Sequence, residues 1–417
     1  MTIEYRKILR IIKDSLRKKD FIYSIDRRYM FADLYVHGGE ERSAEELLTL
    51  LQCKIMYDYV ELDKIQGCLI GGAAGDALGF SVEFFEDYDI FKKYGEKGIT
   101  ELQLYGGIAH FSDDTQMLLF TADALISTQE YCENPTKDTY IKSIYDGYLN
   151  WLYTQDDSYP LGLHIRHSDL LNVKELHQQR GPGRTCLTAL QSGHCGTYET
   201  TLNHSKGCGG IMRVAPVALY FAQLKAYDRL DEIADIAARS SAITHSHPLG
   251  YIPSAFLAVF IACILRGDFL GKALYKAEAA TRKYFANSEY TEYCLQLVNK
   301  AVSLAWAEDK DDRIEDDLDA IRELGEGWVA EETLAIALYC SLKYIDDKNG
   351  FEKALIASVN HSGDSDSTGA LTGNIMGAIL GYKNIPDKFK NNLELHDVIL
   401  DISKKMHINK LDIDTNP

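Results

Sequence analysis

Residues 69–79 read LIGGAAGDALG and residues 369–381 read GALTGNIMGAILG. Each glycine costs a helix about 1 kcal/mol relative to alanine. So many of them call for a compensating gain, which small side chains provide by letting a neighbouring helix or a ligand approach the backbone. From Asp63 onward, apolar residues recur at spacings of three and four, and strict alternation long enough for a buried strand is scarce. The chain therefore reads as all-α, with the first glycine-rich segment, and by the same logic the second, as a helix beneath a site.

The 417 residues carry a net charge of −18, which argues against a nucleic-acid binder, because such affinity comes mainly from Lys and Arg at phosphates. A hydrophobic content of 46% and a charged content of 25% are ordinary for a globular protein, and eight prolines leave little room for linker. The longest strongly apolar run, residues 253–265, is shorter than the roughly 20 residues that cross a bilayer, so no membrane partner is expected. The N-terminus lacks an apolar core followed by a small-residue cleavage site. Nine scattered cysteines without a Cys-x-x-Cys pair suit reduced thiols in a cytoplasm. His194, Cys195, His204 and Cys208 loosely imitate zinc spacing, but Gly and Ser surround them.

Residues 1–20 hold seven Lys/Arg and three Asp/Glu, with Ile8, Leu9, Ile12 and Leu16 at helical spacing. They read as a basic amphipathic helix, packed on the main domain, serving as a docking arm or attaching weakly to an acidic surface. Ser43 and Glu46 form a capping pattern ahead of a second helix. Residues 1–60 are thus expected as a helical extension, and residues 61–417 as the main domain.

Two short motifs carry chemistry. Ser112-Asp113-Asp114-Thr115 precedes an apolar run, so Ser112 or Asp113 reads as a helix N-cap. Asp364-Ser365-Asp366-Ser367-Thr368 stands in the same relation to a helix expected near Gly369. Taken alone, each reads as capping plus a favourable anion at the helix dipole. A cap needs only one acceptor, however, and here two carboxylates crowd one turn. If the motifs meet in space, two divalent cations would neutralise four aspartates, and an all-oxygen set selects Mg²⁺ or Mn²⁺. Between them lies Ser205-Lys206-Gly207-Cys208-Gly209-Gly210-Ile211-Met212-Arg213, a Gly-rich turn that is not a P-loop but whose N–H groups can cradle a diphosphate.

At these residues the chain resembles the ADP-ribosylglycohydrolase family. The matching stretches are GCLIGGAAGDALGFSVEF (67–84), FSDDTQM (111–117), KGCGGIMRVAPVAL (206–219), ITHSHPLGY (243–251), GEGWVAEETLAIALY (325–339) and NHSGDSDSTGALTGNIMGAILG (360–381). The resemblance implies a compact all-α domain and two Mg²⁺ ions held by Ser112, Asp113, Asp114, Asp364, Asp366 and Ser367, the last standing where many relatives have Thr. It implies that Glu83 is a general acid or base or a metal-gating ligand, that Gly207 to Gly210 hold the ADP-ribose diphosphate, and that Met212 and His245 line the pocket. Cys208 stands where some relatives have Asn. Asp76 reads as a support for the metal ligands or a buried helix residue, and Trp328, Glu331 and Glu332 as packing and helix-anchoring residues.

The function so implied is Mg²⁺-dependent hydrolysis of the link between ADP-ribose and a protein side chain, arginine above all, with an ADP-ribosylated protein as substrate. A second reading is an immunity or binding protein that blocks an ADP-ribosyltransferase toxin through residues 1–60, with or without catalysis. A catalytically silent family member and a metal-dependent phosphatase are the remaining readings.

Overall fold

The computed structural model describes residues 60–161, 168–224, 229–307, 314 and 316–408. Residues 1–59, with the expected basic helix and the Ser43 cap, lie outside the described residues. Val60–His407 forms one unit.

In chain order the helices are α1 (Leu62–Phe80), α2 (Asp87–Tyr94), α3 (Asp113–Tyr131), α4 (Lys137–Gln155), α5 (Arg184–Gln191), α6 (Ala215–Phe221), α7 (Leu230–Ala242) and α8 (Pro248–Leu265). They continue with α9 (Leu270–Tyr284), α10 (Glu289–Ala305), α11 (Asp317–Arg322), α12 (Ala330–Tyr344), α13 (Gly350–Val359), α14 (Ser365–Leu380) and α15 (His396–Met406). Among the described residues no strand forms, only isolated bridges such as Gly207 to Val329.

The two glycine-rich segments meet. Helices α1 and α14 run antiparallel, with Gly67 opposite Gly377, Gly71 opposite Gly373 and Gly75 opposite Gly369. A Cβ added to Gly75 would stand 1.9 Å from the carbonyl oxygen of Gly369, and one added to Gly71 would stand 2.3 Å from that of Gly373. No side chain fits there, so glycine is what allows the two backbones into contact, and dispersion across that contact offsets the weak intrinsic propensity. Asn374 adds a hydrogen bond from Nδ2 to the carbonyl of Cys68 at 2.8 Å.

The apolar run near residue 253 is longer in the fold than in the sequence reading. It is the 18-residue helix α8, long and apolar enough by composition to cross a bilayer, yet 94% buried within the protein. Its hydropathy reflects a central position, with neighbours on all sides. Pro248 in the first turn extends it, since proline is tolerated where the N–H has no helical partner.

Candidate functional site

The site lies where α1, α3 and α14 come together. Ser112 is the N-cap of α3, its side chain accepting from the N–H of Asp114 at 3.2 Å. Helix α14 starts at Ser365, four residues ahead of the expected position near Gly369, because Asp364 serves as its N-cap and accepts from the Ser367 N–H. Asp366 and Ser367 therefore occupy the first turn, and Gly369 sits inside the helix, where the contact with α1 requires it. From α1, Asp76 accepts the N–H of Ser112 at 2.8 Å and that of Thr115 at 3.0 Å, which pins the start of α3 to the glycine seam.

The two acidic motifs are joined directly. The Ser367 hydroxyl donates to Asp114 Oδ2 at 2.8 Å across 253 residues of sequence. Single oxygens of Glu83, Asp364 and Asp366 lie within 4.8 Å of one another. Ser112, Asp113, Asp114, Asp364, Asp366 and Ser367 are all buried, as is Glu83 at 8% exposure.

Burial and the charges of neighbouring acids make Glu83, Asp113, Asp114 and Asp364 hard to ionise. Asp113, Asp114 and Asp364 are raised well above the usual carboxylate range, by desolvation first and by neighbouring acids. Glu83 is pushed up to about 10 by burial and by Asp366, Asp364 and Asp113, and Asp76 to about 7 by burial and Asp366. Among the described residues no Lys or Arg pairs with them, and Glu83 Oε2 is buried without a hydrogen-bond partner. An oxygen-only donor set with excess negative charge and an orphaned carboxylate oxygen fits a hard divalent cation.

A loop missed by the sequence reading closes one wall. The Asp113 N–H donates to the carbonyl of Arg180 at 2.9 Å, and Asp113 Oδ2 accepts from the Gly183 N–H at 3.1 Å. Gly181, at φ +70°, passes Glu83 closely enough that an added Cβ would stand 3.7 Å from Oε2. The only hint in the sequence is the Gly- and Pro-containing run RGPG (180–183).

The Gly-rich turn forms the next wall, with its backbone donors partly committed. The Gly207 N–H donates to Ser205 Oγ at 3.3 Å and the Cys208 N–H to the carbonyl of Trp328 at 3.2 Å, so these two donors shape the turn itself. Lys206 is ion-paired with the buried Glu331, which ties the turn to α12. The Cys208 thiol donates to Asp364 Oδ2 at 2.7 Å and therefore faces the aspartates. Met212 and His245 are buried, and His245 Nε2 lies against Gly207 and Gly209. The loose zinc quartet does not assemble: the Cys195 thiol turns to the carbonyl of Gly196, and Cys208 is engaged at the acids.

Glu331 and Glu332 anchor as expected, Glu332 accepting the N–H groups of Glu326 and Gly327. Trp328 differs from the packing role expected for it. It is 39% exposed and stacks on the 76%-exposed Phe84 with centroids 6.1 Å apart. Since Phe84 follows Glu83, and Trp328 receives the Cys208 N–H, this aromatic pair flanks the acids at the surface.

Helices α1, α3 and α14 thus bring the acids and the Gly-rich turn to one place. A family model described as ADP-ribosylglycohydrolase matches residues 58–413. The chain belongs to the ADP-ribosylglycohydrolase family and is an enzyme of that kind. It is 23% identical over 374 residues to ADP-ribosylhydrolase ARH3 of Danio rerio, covering 85% of this chain and 92% of that protein. It is 24% identical to ADP-ribosylarginine hydrolase Tri1 of Serratia proteamaculans (90% of this chain, 87% of that protein). It is 26% identical to ADP-ribosyl-[dinitrogen reductase] glycohydrolase of Rhodospirillum rubrum (80% and 91%). A solved structure titled ADP-ribosylglycohydrolase-related protein complex shares the fold at TM-score 0.54 and 22% identity, covering 83% of this chain and 97% of that one.

Proposed function

We propose that this protein removes ADP-ribose from modified arginine side chains of proteins with the help of two Mg²⁺ ions, Mn²⁺ being an acceptable substitute. The observation that carries the reading is the bond from Ser367 to Asp114, which merges two acidic motifs into one buried donor set. Ser112, Asp113, Asp114, Asp364, Asp366 and Ser367 would hold the ions. A bound pair of this type supplies Lewis-acid activation of water and a grip on the ribose hydroxyls. The remaining work falls to the chain. The Gly207 to Gly210 turn, with Ser205, Lys206, Met212 and His245 around it, takes the ADP moiety. The aspartate oxygens favour positive charge developing at the anomeric carbon. Glu83 brings a free oxygen to Asp364 and Asp366, either as a further ligand or as the proton carrier to the departing side chain.

Arginine is favoured because relatives from Serratia and Rhodospirillum are named for ADP-ribosylarginine and an ADP-ribosylated protein. The net charge of −18 adds long-range attraction for a basic target. The eight described cysteines are all free thiols, consistent with a cytoplasmic setting. The deciding assay is release of ADP-ribose from arginine-modified and serine-modified proteins with and without Mg²⁺. Release from arginine that stops on chelation supports the reading, and equal release after chelation overturns the metal requirement.

A second role rests on the N-terminal segment as a separate docking element. The family match begins at residue 58, whereas the Serratia relative aligns with 90% of this chain, which requires its similarity to extend ahead of that point. We infer that the segment docks an ADP-ribosyltransferase toxin and makes the protein an immunity factor. Removing residues 1–60 should abolish toxin binding while sparing ADP-ribose release, and unchanged toxin binding would refute the role.

A further inference from the structure

Arg213 closes the Gly-rich stretch and has no role in the reading above. Its side chain is fully buried, with the guanidinium carbon 4.0 Å from the centroid of the Tyr148 ring. Nη1 reaches Met117 Sδ and Cys186 Sγ, and Nη2 donates to Thr244 Oγ1 at 2.6 Å. A guanidinium can only donate, so Thr244 Oγ1 must be the acceptor in that bond. The hydroxyl hydrogen is then free for another partner, and His245 Nδ1 lies 2.9 Å away.

A ring nitrogen that accepts a hydrogen bond carries no proton, and the proton of a neutral imidazole then sits on the other nitrogen. The ring is neutral, since burial and the Arg213 charge push His245 down to about 3. Its Nε2 faces the Gly-rich turn, 3.5 Å and 3.2 Å from Cβ atoms built on Gly207 and Gly209. Among the described residues Nε2 has no hydrogen-bond partner. The competing arrangement turns the Thr244 hydroxyl to the neighbouring Cys186 and leaves Nδ1–H on the ring. Imidazole nitrogen is a much stronger acceptor than thiol sulfur, which favours the first arrangement.

We propose that Arg213 and Thr244 are positioning residues that lock His245 as the Nε2–H tautomer, so that an uncharged donor faces the Gly-rich turn and binds a diphosphate oxygen of ADP-ribose. The donor role rests on the proposed function, whereas the tautomer is a property of the free protein. Adding a proton to give an imidazolium would place a second buried cation beside Arg213, which the fold disfavours. A fixed neutral donor keeps its strength across the physiological pH range.

The test uses full-length protein carrying ¹⁵N-histidine, with long-range proton–nitrogen correlation spectra and the His245 signals identified by their loss in His245→Gln. The expected pattern is a protonated Nε2 and a bare Nδ1 in the free protein, with the Nε2 signal moving when ADP-ribose is added. Thr244→Val should mix the tautomers and weaken ADP-ribose binding about tenfold, and Thr244→Ser, which restores the hydroxyl, should recover both. A bare Nε2 in the wild type overturns the lock. Mixed tautomers with unchanged affinity in Thr244→Val overturn the donor role. A wild-type protein that shows protonated Nε2 but no ADP-ribose binding keeps the lock, and refutes the donor role together with the proposed function.

Discussion

Ser367 and Asp114 show how much one hydrogen bond can decide, because their contact turns two separate helix starts into one acidic centre. Replacing Asp113, Asp364 or Asp366 with Ala should lower turnover at least about 100-fold, equivalent to about 2.7 kcal/mol of transition-state stabilisation. Near-normal turnover in a folded variant would remove the metal reading. Glu83→Gln separates the two roles of that residue. Loss of Mg²⁺ affinity marks a ligand, whereas slowed turnover at unchanged Mg²⁺ affinity marks a proton carrier, as read by titration calorimetry beside kinetics. The aspartates were legible in the sequence because two carboxylates in one turn exceed what capping requires. Asp76 was visible only as a support or a buried residue, since its bonds to Ser112 and Thr115 depend on the packing of α1 against α3. Arg213 and Thr244 stood inside quoted stretches with no role given to them, and Gly183 stood outside them all: an arginine in a Gly-rich stretch gives no sign that it will be buried against a tyrosine ring. Trp328 was misread because its neighbours Glu331 and Glu332 do anchor α12, and nothing in the sequence separates an anchoring turn from an exposed ring beside it.

The glycine seam between α1 and α14 makes the sharpest demand on sequence at the level of elements. Gly373→Ala places a methyl group 1.9 Å from the carbonyl oxygen of Gly71, which neither backbone can relieve without moving. The variant should lose about 1–3 kcal/mol of stability in urea unfolding, and its activity should fall because the first turn of α14 shifts. Gly271→Ala in α9 is the contrasting case, as its added Cβ meets only Phe269 at 3.6 Å, an ordinary contact. That change should be neutral or stabilise by up to about 1 kcal/mol. Equal losses in both variants would mean that packing across the seam is not what selects glycine. Both segments were recognised as helices from spacing and small residues, but not the start of α14, which is set by the Asp364 cap. Helix α8 begins ahead of the apolar run at 253–265 because its first turns include Pro, Gly and Tyr, which interrupt an apolar run without interrupting a helix.

Across the whole molecule, the buried acids couple stability to pH and to cations. Asp76 and Glu83 hold their protons up to about 7 and about 10 in the folded chain, far above ordinary carboxylates. The folded state therefore binds protons more tightly than the unfolded one. This contribution is full below about pH 4 and is lost as pH climbs through the folded values. Mg²⁺ competes with the same protons, so the rise in thermal midpoint on adding Mg²⁺ should grow from about pH 5 to about pH 8. A cation effect that stays flat or shrinks over that range, measured by calorimetry against a chelated control, would contradict the donor set. One consequence of the antiparallel seam concerns time. The acids of α3 are made early in translation, yet their partners on α14 emerge from the ribosome only after some 250 further residues. Until that late segment is made, a nascent chain lacks half of its acidic donor set.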